Sequence, residues 1–382
     1  MFSKKPLLIS IAGLLASGPV FALQPASLGS SGESWTPTLG VSLVHDDNIR
    51  ATSEGESALI KTVNPKLFMR MDTGKSMFDA QLSVTRRYYS ADAIPSFTDY
   101  SFSSVSALMF DVRNRVDFGY NLSKTTSAAG ATVIGNVDTF KNQNLFANYK
   151  YGAPSATGNI VAGINFNKYD ALQAVNNRLN RESSTASLEF SVKGAGQSRV
   201  LAEVIAVKND YVTADDKDSN NYIGRVGIRW DATAKTTGEV KVGYEEKQFD
   251  ASGVDDSNLV NWKASIQWQP KTYSTFTLST SQRIDEASTL DSNAIDSSDV
   301  SLGWAHDWGN KVSTNLNLSY FHKDYLDSTR VDKARNASLQ MTYEFRRWFD
   351  IALGYNFTKQ DSTYADYDYD RNQYTLTFVM SL

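Results

Sequence analysis

The chain ends on NQYTLTFVMSL, residues 372–382. Tyr374, Leu376, Phe378, Met380 and Leu382 are apolar. Gln373, Thr375, Thr377 and Ser381 alternate with them, and Val379 is the one interruption. A two-residue period marks a strand with one apolar and one wetted face. Such a strand needs an edge to pair with, and nothing follows it. The need is met if the strand closes a sheet onto its own beginning, which predicts a barrel.

The same alternation recurs upstream. RVDFGYNLS places Val116, Phe118, Tyr120 and Leu122 on one face, against Arg115, Asp117, Gly119 and Asn121 on the other. EVKVGYEEK, NWKASIQWQ and DIALGYNFT repeat the pattern around Val242, Ile266 and Leu353. Short breaks fall after Met71, at Arg113-Asn114, at Gly152–Gly158, at Gly194–Gln197 and at Asp231–Lys235. Three more fall at Pro270-Lys271, Gly309-Asn310 and Arg346-Arg347. They are spaced by about 37 to 42 residues, the length of two barrel strands with a loop and a turn. Long polar stretches alternate with the breaks, among them Asp46–Glu56, Ala171–Arg181, Asp250–Asp256 and Asp285–Ser297. Short turns at one rim and long loops at the other are the asymmetry of an outer-membrane barrel.

The fold class expected is therefore all-β: one transmembrane, antiparallel, up-and-down β-barrel of about 18 strands, with 16 the next even count. DYSFSSVSALMF alternates poorly and leaves the number softer there. The terminal strand is expected to pair with TPTLGVSLV, residues 36–44. A sandwich would show turns every 8–12 residues without the long/short asymmetry, and a propeller would show a four-strand repeat.

The first residues set the compartment. Lys4 and Lys5 precede an apolar run from Pro6 to Leu15, and Val20 and Ala22 suit a signal-peptidase site. Residues 1–22 are expected to be a cleaved signal peptide, 23–34 a short periplasmic segment and 35–382 the barrel. Cysteine is absent, which excludes disulfides and thiolate-bound metals. With 38 basic and 42 acidic residues the net charge is −4, giving no nucleic-acid signal. The 19 Tyr, 19 Phe and 7 Trp fit a barrel with two aromatic girdles.

If the apolar faces meet lipid, the opposite faces line the lumen. The lining candidates are Arg87, Arg115, Asp117, Arg225, Arg229, Glu239, Lys241, Glu245, Lys263 and Arg283. The cations among them are expected to be solvated and balanced by neighbouring carboxylates, so that losing one costs little stability. Such a polar wall suits hydroxyl-rich solutes. Catalysis, a cofactor and a metal are not expected. The histidines are His45, His306 and His322, and the last two take the lipid-facing parity beside Trp304, Trp308 and Tyr320. HDDN, residues 45–48, ends the first strand and reads as a strand-to-loop exit. The Asp-rich loops read as a solvated outer surface facing lipopolysaccharide.

WTPTLGVSLVHDDNIRAT, residues 35–52, resembles the first strand of the β-barrel porins found alongside exopolysaccharide-export systems. In that family an early strand runs into an Asp-Asp-Asn turn, here Asp46, Asp47 and Asn48. The resemblance implies an outer-membrane conduit in secretion of a capsule or biofilm polysaccharide. It also implies a separate periplasmic partner, an export lipoprotein or copolymerase, that hands over the polymer. A general or small-sugar diffusion porin and a structural or adhesion barrel with a filled lumen remain open beside it.

Overall fold

The computed structural model describes residues 33–91, 94–129, 137–233, 235–287, 289–290 and 292–381. The expected signal peptide and residues 23–32 lie outside them. Eighteen strands follow one another: β1 (Glu33–Asp46), β2 (Ala58–Asp72), β3 (Ser76–Tyr89), β4 (Phe97–Met109), β5 (Asn114–Ser127) and β6 (Asp138–Tyr151). Next come β7 (Gly158–Ala171), β8 (Arg181–Lys193), β9 (Ser198–Tyr211), β10 (Ser219–Thr233), β11 (Thr236–Phe249) and β12 (Ser257–Lys271). The last are β13 (Ser274–Glu286), β14 (Ala294–Gly309), β15 (Val312–Tyr325), β16 (Val331–Arg346), β17 (Phe349–Ser362) and β18 (Tyr369–Ser381).

Each strand pairs antiparallel with its neighbours in sequence, and β1 also pairs with β18. The sheet therefore has no free edge, which removes the hazard of unpaired N–H and C=O groups in lipid. At the seam, Thr38 lies opposite Ser381 and Asp46 opposite Gln373, the pairing the terminal stretch requires. Strand β1 starts two residues before the expected barrel boundary. The short turns gather at one rim and the long loops at the other, so the long-loop rim is extracellular.

Alternation decides which side chains meet lipid. Leu43, Val63, Leu145, Val204, Val226, Val242 and Leu353 are exposed on the outer surface. Aromatic residues border this band on both sides. Trp35, Tyr151, Trp268, Trp308 and Trp348 lie toward the short turns, and Tyr88, Tyr100, Tyr222, Tyr244 and Tyr374 toward the long loops. Rings at both interfaces are what a lipid-spanning barrel needs. His306 belongs to the lower belt, 4.2 Å from Trp308 and 5.3 Å from Trp304 between ring centroids. His322 takes the same parity on β15, opposite Ser298 and Lys333.

Strand β4 forms although its sequence alternates poorly. Its lipid-side Ser104 and Ser106 lie opposite Tyr120 and Phe118 of β5, and Ser106 is buried. The larger rings of the neighbour cover what the serines leave open.

One expected loop is shorter than its polar stretch, being strand at both ends. Asp285–Ser297 reads as polar, yet β13 runs to Glu286 and β14 begins at Ala294. Ile284, Ala294 and Leu259 are buried together, with Phe249 and Leu326 packed against them. That local core holds the segment in strand form, and the Asp and Ser residues alternate with it. Beyond Gln282 this hairpin parts from β12, although β12 itself runs on to Ser257.

Candidate functional site

The lumen wall is polar and divides into zones. Its charged zone spans β8 to β11. Glu189 of β8, Glu203 of β9, Arg225 and Arg229 of β10, and Glu239 and Lys241 of β11 form one cluster of three carboxylates and three cations. Arg229 donates from Nε to Glu239 at 2.6 Å and from Nη2 to Glu189 at 3.1 Å. Lys241 Nζ lies 2.5 Å from Glu189 and 3.3 Å from both Glu203 and Glu239. Arg225 Nε approaches Glu203 Oε2 to 3.1 Å, a charge contact whose angle falls short of a hydrogen bond. The cluster is neutral as a whole.

A glycine makes this cluster possible. Glu189 and Glu203 are cross-strand partners, an arrangement that like charges destabilise. Lys241 relieves it by lying across β10 at Gly227, its own cross-strand partner. A Cβ at residue 227 would stand 2.2 Å from the Val240 carbonyl oxygen and 2.8 Å from Lys241 Cγ. Any side chain there would lift Lys241 away from the two glutamates.

The remaining candidates take the parity opposite the exposed apolar residues of their strands, mostly in separate pairs. Arg87 binds Asp99 at 2.5 Å, and Asp117, almost fully buried, takes Arg115 at 2.6 Å and Lys150 at 2.5 Å. Arg283 pairs with Asp285 and Asp299. Solvation is uneven, against the expectation from sequence. Arg229 keeps 43% of its side-chain exposure, whereas Arg225 keeps 11% and Lys241 6%. The reason is crowding: each long side chain lies flat along the wall against its carboxylates. Lys263 of β12 is exposed to the lumen, with no carboxylate within 4.0 Å among the described residues. Its replacement by Gln should leave stability within about 0.5 kcal/mol of wild type. Ion selectivity should nonetheless move toward cations, because a fixed charge acts strongly inside a narrow low-dielectric wall. Reversal potentials across a salt gradient check this.

Next to the charged zone lies a neutral one. Asn121 of β5, Asn144 of β6 and Asn165 of β7 form a chain of amides, with Asn144 donating to Asn165 at 3.0 Å. Asn148, Thr185 and Ser187 extend it around a recess floored by Gly163 and edged by Phe146. Reading single residues for charge passed over this zone. The recurring Asn at alternate positions of β6 and β7 was its signal.

At the extracellular end the lumen narrows. Glu286, at the tip of β13, accepts hydrogen bonds from Asn209 Nδ2 at 2.8 Å and from Tyr211 Oη at 2.7 Å, both on β9. It also pairs with Lys247 of β11, whose side chain is fully buried. Glu245, 1% exposed, receives Asn221, Asn261 and the backbone N–H of Ile284. Lys217, from the β9–β10 loop, donates to the Ser292 carbonyl at 2.6 Å. The β13–β14 hairpin is thus tied down over the inner face of β9 to β12. Across the mouth, Ile49, Ile94 and Ala128 from the first three long loops pack on inward-facing Ile60 and Phe97.

Asp46, Asp47 and Asn48 fasten the seam. Asp46 is fully buried and accepts from Arg371 Nε at 3.0 Å, from Gln373 Nε2 at 2.8 Å and from the Asn48 N–H at 3.1 Å. Asp47 takes the Asn372 backbone N–H and side-chain amide, at 2.6 and 2.7 Å. Asn48 donates to the Asp370 carbonyl at 3.0 Å. These carboxylates are engaged in closing the barrel.

The family model described as putative beta-barrel porin 2 matches residues 34–381. The chain belongs to this family. It is an outer-membrane β-barrel channel of the bacterial envelope. Among solved structures it is similar to OccAB4 of Acinetobacter baumannii, at 12% identity over 94% of this chain and 100% of that one, TM-score 0.49. It is similar also to the outer membrane protein opdK of Pseudomonas aeruginosa, at 9% identity over 91% and 99%, TM-score 0.49. A third is OpdO of the same organism, at 10% identity over 91% and 97%, TM-score 0.49. A search of curated protein sequences gave no match.

Proposed function

We propose that this barrel is a narrowed outer-membrane conduit for carbohydrate, and that its cargo is an exopolysaccharide on its way to the cell surface. The observation that carries the reading is the amide wall of β5 to β7 beneath a mouth folded inward on itself. Asn side chains present a donor and an acceptor in fixed geometry, which matches successive sugar hydroxyls. The neutral six-residue ion cluster supports it, since a strong fixed field would hinder a long polymer. An inward-tied hairpin suits a path that opens for a particular cargo better than free diffusion. A polymer arriving from the periplasm calls for a lipoprotein or copolymerase to deliver it at the short-turn rim. The second reading, a diffusion porin for small sugars, draws on Lys263 and the exposed Arg229, which give the wall solvated charge.

Deleting the gene distinguishes the two. Export predicts that surface polysaccharide disappears while the precursor is still made. Normal surface polysaccharide together with slower uptake of small sugars would replace it with the diffusion reading.

A further inference from the structure

The outer face of β2 to β7 carries a row of cations at one depth. Lys61 lies three residues from Ala58, the extracellular end of β2, and Arg86 three residues from Tyr89 of β3. Lys124, Lys141 and Lys168 lie equally far from the ends of β5, β6 and β7, at Ser127, Asp138 and Ala171. Tyr100 takes the equivalent place on β4, three residues from Phe97. All six side chains share the parity of lipid-exposed neighbours: Lys61 lies opposite Leu43, Arg86 opposite Val63, and Lys124 opposite Tyr100. Adjacent strands are about 4.8 Å apart, so the row covers about 24 Å of sheet.

Carboxylates do not account for the row. Lys168 pairs with Glu182 at 2.7 Å. Lys61, Arg86, Lys124 and Lys141 have no carboxylate within 4.0 Å among the described residues; Asp170, the cross-strand partner of Lys141, stays outside that distance. Two of these cations converge. Arg86 Nη1 donates to Thr98 Oγ1 at 2.9 Å, and Lys124 Nζ to the Thr98 carbonyl at 3.0 Å. Lys124 and Lys141 are direct cross-strand partners, where like charges repel. Arg86 is backed by the Tyr88 ring at 5.2 Å. In the lumen, by contrast, Arg225, Arg229 and Lys241 all have carboxylates.

We infer that Arg86, Lys124 and Lys141, flanked by Lys61, form a binding site on the barrel's outer wall for the phosphates of the outer-leaflet glycolipid, lipid A. The row sits at the height of the upper aromatic girdle, where the headgroups of that leaflet lie. Guanidinium and ammonium groups around one point suit a phosphate, with Arg offering a planar fork and Lys a point charge. The acyl chains would descend over Val63, Leu122 and Leu145. Elsewhere on the same rim, Lys208 is held by Asp210, and Lys359 by Asp361 and Asp370.

The test uses the folded protein in detergent, titrated with bisphosphorylated lipid A and with the same lipid lacking its phosphates. Wild type should prefer the phosphorylated form by about tenfold or more, and the double variant Arg86→Gln/Lys124→Gln should lose the preference. Equal affinity of wild type for both lipids overturns the inference without recourse to any variant. So does undiminished preference in a double variant that retains heat-modifiable mobility. Competition by inorganic phosphate alone, as effective as by the lipid, would overturn the assignment to a lipid.

Discussion

Asp46→Ala should lower the unfolding free energy of the barrel by about 3–5 kcal/mol, because it strands a cation that closes the seam. Asp46 is fully buried and receives Arg371 through two nitrogens, with Gln373 and the Asn48 N–H as further donors. Without it, Arg371 has no carboxylate partner among the described residues at the junction where the last strand meets the first. The seam is also where pairing spans the largest sequence separation, up to 343 residues from Thr38 to Ser381. Closing so long a loop is entropically costly, so contacts that fasten it weigh on folding as well as on stability. Urea unfolding in lipid vesicles measures the loss, and Asp46→Asn should recover part of it by keeping the acceptor for Asn48. Unchanged unfolding in Asp46→Ala would mean that the backbone ladder alone closes the seam.

Val242→Lys should cost about 2–4 kcal/mol, the depth-dependent penalty for a cation facing the middle of the bilayer. Val242 is exposed on the outer surface of β11, between Val226 and Trp262 on the neighbouring strands. The comparison is Arg225→Ala on the inner surface of β10. Arg225 is largely shielded and faces Glu203, so its loss should cost about 1–2 kcal/mol. That is more than the solvated pair expected from sequence, and less than a stranded charge, because Lys241 still reaches Glu203 at 3.3 Å. The two variants should therefore differ in kind. Val242→Lys should impair insertion with little effect on selectivity in the fraction that folds, and Arg225→Ala should fold and change selectivity. A silent Val242→Lys beside a misfolded Arg225→Ala would invert the assignment of faces.

Much of this was legible in the residues. Alternation around Val242, Ile266 and Leu353 gave the lipid face, and the long/short rhythm of breaks gave both rims. The expected pairing of residues 36–44 with the terminal strand is the register of the seam. The same alternation sets each lumen candidate on the parity opposite the lipid face, one strand at a time. Their assembly could not. Glu189, Glu203 and Lys241 meet only because Gly227 leaves a gap on the strand between them, and a cross-strand gap leaves no mark on a single strand. The β13–β14 hairpin misled for a related reason. Its Asp and Ser residues look like solvent loop, while the partners that hold it, Asn209, Tyr211 and Lys247, lie on strands β9 and β11. Asp46, Asp47 and Asn48 look like a strand exit from their own strand alone, since their partners stand at the far end of the chain.

The central claim is that carbohydrate passes through a lumen whose extracellular mouth is held narrow by the β13–β14 hairpin. Single-channel conductance in planar bilayers tests it, comparing wild type with Glu286→Gln/Lys247→Met, which releases the hairpin tip without stranding a charge. Wild type should show small, brief openings. The variant should conduct several-fold more, and a neutral oligosaccharide added on the short-turn side should interrupt its current. A large, steady conductance in wild type that the double variant leaves unchanged and sugar does not touch would contradict the account.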